Sequence, residues 1–271
     1  MSIKCNIIIK ELNKLAPDGL AEEWDNVGLI IGDMEAEIHT ILIALDAIPE
    51  VIDEAIKVKA DLIITHHPLI FKPIKSIRKD MALGRSIYKL IQNNIGIYSA
   101  HTNLDSAFGG TNDTLAKILE LENLSVLSEN HLHSSNEEYI QGMGRIGTLK
   151  RTSTLKEYGE LVKNKLGLSN IKLVGNESSI ISKVAITTGS GMSYLKDAVN
   201  KKADLFITGD IKYHEAQQAL EMGITLIDAG HYGTENIIVP VIKQYLKKLQ
   251  NEHSGLNIKT SQINGDPFKV I

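Results

Sequence analysis

Two adjacent histidines, His66 and His67, close the apolar run Asp61-Leu62-Ile63-Ile64-Thr65 immediately before Pro68. Far downstream, Gly230-His231-Tyr232-Gly233-Thr234-Glu235 sets an imidazole and a carboxylate four residues apart, on one face if the segment opens a helix. Three imidazoles and a carboxylate at the ends of strand-like runs suit a metal centre. Neighbouring residues of an extended chain point to opposite sides, so His66 and His67 reach a single ion only through a sharp turn and serve two ions more easily. A paired histidine at a strand end does no packing that threonine or asparagine would not do, which favours the metal reading over a structural one.

The rest of the composition narrows the chemistry. The one cysteine, Cys5, has no partner for an internal disulfide or a thiolate site, so a metal here takes nitrogen and oxygen ligands. The 271 residues are 43% apolar, enough for a substantial core. No stretch approaches the roughly 20 consecutive apolar residues of a membrane span. The amino terminus reads as an amphipathic helix with Ile3, Ile7, Ile8, Leu12 and Leu15 on its apolar stripe, not as a signal peptide. The expected location is cytoplasmic. With 29 basic and 33 acidic residues interspersed, there is no basic stripe of the kind nucleic-acid binding requires. The densest basic cluster, Lys243 to Lys248, reads as the solvated face of a carboxy-terminal helix.

An internal duplication supplies the architecture that must position these residues. A strand (Ile41 to Asp46), a helix (Glu50 to Lys59) and a second strand closing Lys59-Ala60-Asp61-Leu62-Ile63-Ile64-Thr65 recur downstream. There the strand is Val184 to Thr188, a helix follows Ser193, and the closing run is Lys202-Ala203-Asp204-Leu205-Phe206-Ile207-Thr208, which differs only by the apolar exchange of Ile63 for Phe206. Each half adds another helix and a third strand, Ile95 to Ser99 and Gly223 to Ile227. Both halves are thus strand-helix-strand-helix-strand units, which demand parallel strands. The expected fold class is α/β, two duplicated βαβαβ lobes with mostly parallel sheets facing a central cleft. The expected division is an amino-terminal lobe over 1–125, a connecting segment over 126–183 and a carboxy-terminal lobe over 184–271. In the connector, Asn136 to Tyr139 is polar, and Ser153-Thr154-Leu155-Lys156-Glu157 opens a helix with an N-cap.

All the polar clusters follow strands: His66-His67 and Gly209-Asp210 after the second, His101-Thr102-Asn103-Leu104-Asp105 and His231 to Glu235 after the third. The carboxyl edge of an α/β sheet is where ligands collect. Each residue also has an ordinary reading. Asp105 alone caps a helix beginning near Thr111, His231 and Glu235 alone form a helix-start pair, and His214 either carries protons or simply begins a helix. Gly189-Ser190-Gly191 lacks the Gly-Lys-Ser/Thr ending of a phosphate loop and reads as a strand-to-helix turn.

Six segments in order, Trp24-Asp25-Asn26-Val27-Gly28-Leu29, Thr65-His66-His67-Pro68, Ala100 to Asp105, Thr208-Gly209-Asp210 with His214, Gly230 to Glu235, and Asp266-Pro267-Phe268, resemble the NIF3-like family, whose bacterial members are often named GTP cyclohydrolase 1 type 2 homologues. The resemblance implies two divalent metal ions held by His66, His67, Asp105, His231 and Glu235, and a ring-shaped homohexamer. Zinc, iron and manganese all suit such ligands. Some relatives carry an inserted domain between the halves, for which this connector is too short. The function expected is a dinuclear metal-dependent hydrolase, GTP cyclohydrolase-like, acting through activated water on a nucleotide or related small molecule, with His101 or His214 moving protons. The alternative is a non-enzymatic metal-binding ring serving as a scaffold, metal-handling or partner-binding protein.

Overall fold

A computed structural model describes residues 2–129 and 141–270. The polar stretch Asn136 to Tyr139 lies outside the described residues. The chain divides into two units, one comprising Met1–Leu104 and Ile238–Gly265, the other Asp105–Ile237 and Asp266–Ile271.

The first unit is built on a five-stranded sheet. Thr40–Ala44, Leu62–Thr65 and Gly96–Ser99 run parallel side by side, Asn257–Thr260 joins one edge in parallel and Gly28–Ile31 the other antiparallel. Helices Pro49–Lys57 and Ala82–Gln92 connect the three central strands. Leu42, Ile63 and Ile97 enter a cluster with Val51, Ile52, Ala55 and Leu90 from those helices. Their neighbours Ile41, Ile43, Leu62 and Ile64 are equally buried, so both faces of the sheet are covered, as parallel strands require. The first helix, Cys5–Leu15, buries Cys5, Ile8, Ile9 and Leu12 and leaves Ile7 exposed; the buried stripe is rotated from the one expected because Ile9, not Ile7, shares a face with Cys5 and Leu12.

In the second unit Ile180–Ser190, Leu205–Gly209 and Thr225–Asp228 form the parallel core, linked by helices Leu195–Asn200 and Tyr213–Glu221. Glu122–Glu129, Gly142–Thr154 and Lys172–Val174 extend this sheet with antiparallel pairings. Val184, Ile186, Leu205 and Ile207 pack on one side; Ala185, Phe206 and Leu226 pack on the other.

The duplication extends to atomic detail. Ile41 pairs with Leu62 and Ile43 with Ile64, just as Val184 pairs with Leu205 and Ile186 with Ile207. Lys59 and Lys202 both adopt left-handed backbone at the helix ends, with φ of 55° and 58°. The Asp61 carboxylate accepts from the amides of His39 and Thr40, and Asp204 accepts from those of Ser182 and Lys183.

The expected boundaries differ from the observed units in two places. Residues 142–183, read as a connector, supply strands to the second sheet and the helix Leu155–Lys165, which begins in a capping box between Thr154 and Glu157. Residues 238–265, read as part of the second lobe, belong to the first unit, because Asn257–Thr260 pairs with Thr40–Ala44. Among the described residues no helix is long and apolar enough to cross a membrane.

Candidate metal centre

After Thr65 the strand breaks sharply. The amides of His66 and His67 both donate to the Leu45 carbonyl, at 3.1 and 3.0 Å, so the side chains no longer alternate across the sheet. Their rings lie 5.0 Å apart between centroids, and the His101 ring, arriving from the end of the third strand, lies 5.2 Å from the first and 5.5 Å from the second. A nitrogen from each of the three comes within 4.8 Å of the others, close enough to hold a metal ion.

Each ring is fixed through Nδ1. His66 Nδ1 donates to the Ala100 carbonyl at 2.8 Å, His67 Nδ1 to Asp46 at 2.7 Å, and His101 Nδ1 to Asp25 at 2.9 Å. A carbonyl or ionised carboxylate only accepts, so Nδ1 carries a proton, and in the neutral ring the lone pair is on Nε2. This is the way proteins orient metal-binding imidazoles. Burial raises the Asp25 carboxyl, but hydrogen bonds from the His101 ring and from the Thr102 hydroxyl and amide outweigh it and hold the group at about 2. Asp25 therefore stays ionised and keeps His101 in one tautomer.

The second unit shows the same device. His231 and Glu235 lie on the short helix His231–Glu235, which Gly230 enters with φ of 76°. His231 Nδ1 donates to Asp210 at 2.7 Å, and its Nε2 faces Glu235 Oε2 at 2.9 Å. That separation is an ion-pair distance, and it brings two atoms of metal-ligating type together on one helix face. Glu235 and Asp105 are buried, and both meet the turn at Thr188-Gly189: the Thr188 hydroxyl donates to Asp105 at 3.4 Å, while a Cβ on Gly189 would lie 2.0 Å from Glu235 Oε1. Gly189 has φ of 59°, and its amide donates to the Thr234 hydroxyl, so the backbone is pinned where only glycine leaves room for the carboxylate. Nitrogen and oxygen donors, oriented imidazoles and a cradle for a buried carboxylate are compatible with a metal site.

His214 is placed differently. It is exposed on the helix Tyr213–Glu221, with Nδ1 3.1 Å from Gln217 of the same helix. Sequence reasoning missed the orienting carboxylates Asp25, Asp46 and Asp210 and the cradle at Gly189. Asp25 and Asp210 lie inside the quoted motifs, which was the available signal.

A family model for Duf34/NIF3 (NGG1p interacting factor 3) matches residues 3–267. The chain belongs to the Duf34/NIF3 family. It is 40% identical, over 99% of both chains, to a Clostridium acetobutylicum protein described as a GTP cyclohydrolase 1 type 2 homolog. Its fold is similar to that of a Bacillus cereus protein related to NIF3, with a TM-score of 0.92, 30% identity and 99% of each chain covered. A Staphylococcus aureus protein matches over 100% of both chains at 33% identity with a TM-score of 0.91. Against a Bacillus subtilis relative of the same description, the alignment runs over 370 positions at 28% identity, beyond the 271 residues of this chain.

Proposed function

We propose that this NIF3-family chain is a hydrolase that uses two divalent metal ions, held by His66, His67, Asp105, His231 and Glu235, to act on a nucleotide or a related small molecule. The observation that carries the reading is the shared orientation of His66, His67 and His231, each with Nδ1 held by an oxygen acceptor, which assigns Nε2 as the ligand atom. Side chains that merely filled space or capped helices would not need three separate acceptors to set one tautomer. A bound pair of divalent ions supplies Lewis acidity and activates water at neutral pH.

The protein's own groups divide the remaining work. Asp46 and Asp210 raise the basicity of the imidazoles they orient. His101, fixed by Asp25, is assigned the proton-carrying role in preference to His214, whose ring is exposed and turned to its own helix. The substrate class rests on likeness to relatives described as GTP cyclohydrolase 1 type 2 homologs. The test is a screen of nucleotides and phosphoesters against zinc-, iron- and manganese-loaded protein, with Glu235→Ala as control. Turnover by wild type and none by the variant supports the hydrolase; stoichiometric metal with no turnover of any compound favours the scaffold or metal-handling role.

A further inference from the structure

Trp24 and Phe71 expose large apolar rings, 58% and 45% accessible, beside the histidine cluster of the first unit. Their centroids are 5.7 Å apart with the planes at 62°, and each lies close to the His101 ring, at 6.1 and 6.3 Å. Hydrogen bonds hold the two ring-bearing segments in place. Asn26 Nδ2 donates to the Ile70 carbonyl at 2.6 Å and ties the two segments together, while the Asp25 carboxylate anchors the first of them to Thr102 and His101. Immediately beyond Phe71 the chain carries exposed Lys72 and Lys75. In the same loop Arg78 pairs with Asp80 and Lys79 lies over the Tyr88 ring, whereas among the described residues no carboxylate pairs with Lys72 or Lys75.

We propose that Trp24 and Phe71 form a stacking subsite for a planar heteroaromatic ring, and that Lys72 and Lys75 attract the phosphate it carries. The proposal rests on the metal-centre reading, since it places the ligand's ring against His101. An apolar pair held at fixed geometry beside imidazoles, with positive charge next to it, complements a flat anionic ligand better than an uncharged apolar partner. Aromatic stacking binds any base by its π face, so the subsite sets the class of ligand and leaves choice among bases to other contacts.

Trp24 is the chain's only tryptophan, so its fluorescence reports this subsite alone. Wild-type protein reconstituted with manganese is titrated with guanosine, GMP and ribose 5-phosphate, and its metal content is measured in parallel. The expected result is saturable quenching by guanosine and GMP and none by ribose 5-phosphate. Phe71→Ala weakens both ring compounds about tenfold. A Lys72→Ala/Lys75→Ala double variant weakens GMP and spares guanosine. Trp24→Ala, followed by calorimetry, loses ring binding while retaining the metal, because the side chain is exposed and contributes no metal ligand. Absence of quenching by either ring compound in metal-loaded protein, or unchanged calorimetric binding in Trp24→Ala, overturns the proposal and leaves the metal centre standing. Ring binding that depends on Trp24 in protein that takes up no metal supports the subsite and counts against the metal reading.

Discussion

At the scale of single residues, the site is governed by groups that hold the histidines as much as by the histidines themselves. Asp46 and Asp210 each fix an imidazole through Nδ1. Asp46→Asn and Asp210→Asn should each lower metal affinity roughly 10- to 100-fold with little change in fold, as measured by competition with a chelating dye. Gly189→Ala brings a Cβ to within 2.0 Å of Glu235 Oε1 and places alanine at a left-handed φ. Its expected effects are at least a tenfold loss of metal affinity and about 1 kcal/mol or more of backbone strain, read by calorimetry and urea unfolding. Asp25 gives a pH signature. Its carboxyl is lowered from the usual 3.8 to about 2, so the stability it contributes is present above the unfolded value and is lost as pH falls through the folded one. Wild type should exceed Asp25→Asn by about 2 kcal/mol at pH 7, with roughly half that difference left at pH 3. A difference that stayed constant between those pH values would remove the linked proton from the explanation.

At the scale of elements, the duplicated strand-helix-strand is a frame whose polar ends have been reassigned. Asp61 and Asp204 occupy the same place in the two copies, each accepting two backbone amides ahead of a parallel strand. Alanine at either should cost about 1–3 kcal/mol, similar in the two cases, by denaturant titration. The strand ends carry the divergence. In the first copy His67 follows the second strand and takes its carboxylate from Asp46; in the second, Asp210 follows the second strand and holds a histidine that comes from after the third. The repeat was legible because strand burial and strand-end turns leave a periodic trace, down to Lys59-Ala60-Asp61 and Lys202-Ala203-Asp204. The orienting acids were not, since a hydrogen bond between Asp25 and His101, far apart in sequence, follows from tertiary packing and has no period. The membership of residues 142–183 in the second sheet was less legible: Gly142, Gly144 and Gly147 interrupt a strand-like stretch, and Gly144 and Gly147 lie where neighbouring strands pass too close for a Cβ. The return of Asn257–Thr260 to the first sheet is likewise invisible in a local pattern.

At the scale of the whole molecule, metal and folding should be linked, because ligands deprotonated and gathered in the native state are not gathered in the unfolded chain. Free metal at about 100 times its dissociation constant should add roughly 2.7 kcal/mol to stability. Chelation should therefore lower the thermal midpoint of wild type and leave that of His66→Ala unchanged. Light scattering tests the homohexameric ring that the family resemblance implies, with a mass six times that of one chain as the expected result. The most direct test of the central claim is the elemental content of untagged protein purified without chelator, wild type beside His66→Ala and Glu235→Ala, by plasma mass spectrometry. About two equivalents of a divalent metal per chain in wild type, with loss in both variants while the fold is retained, is the predicted result. Wild type that holds no metal even after reconstitution, or variants that keep the full complement, would contradict it.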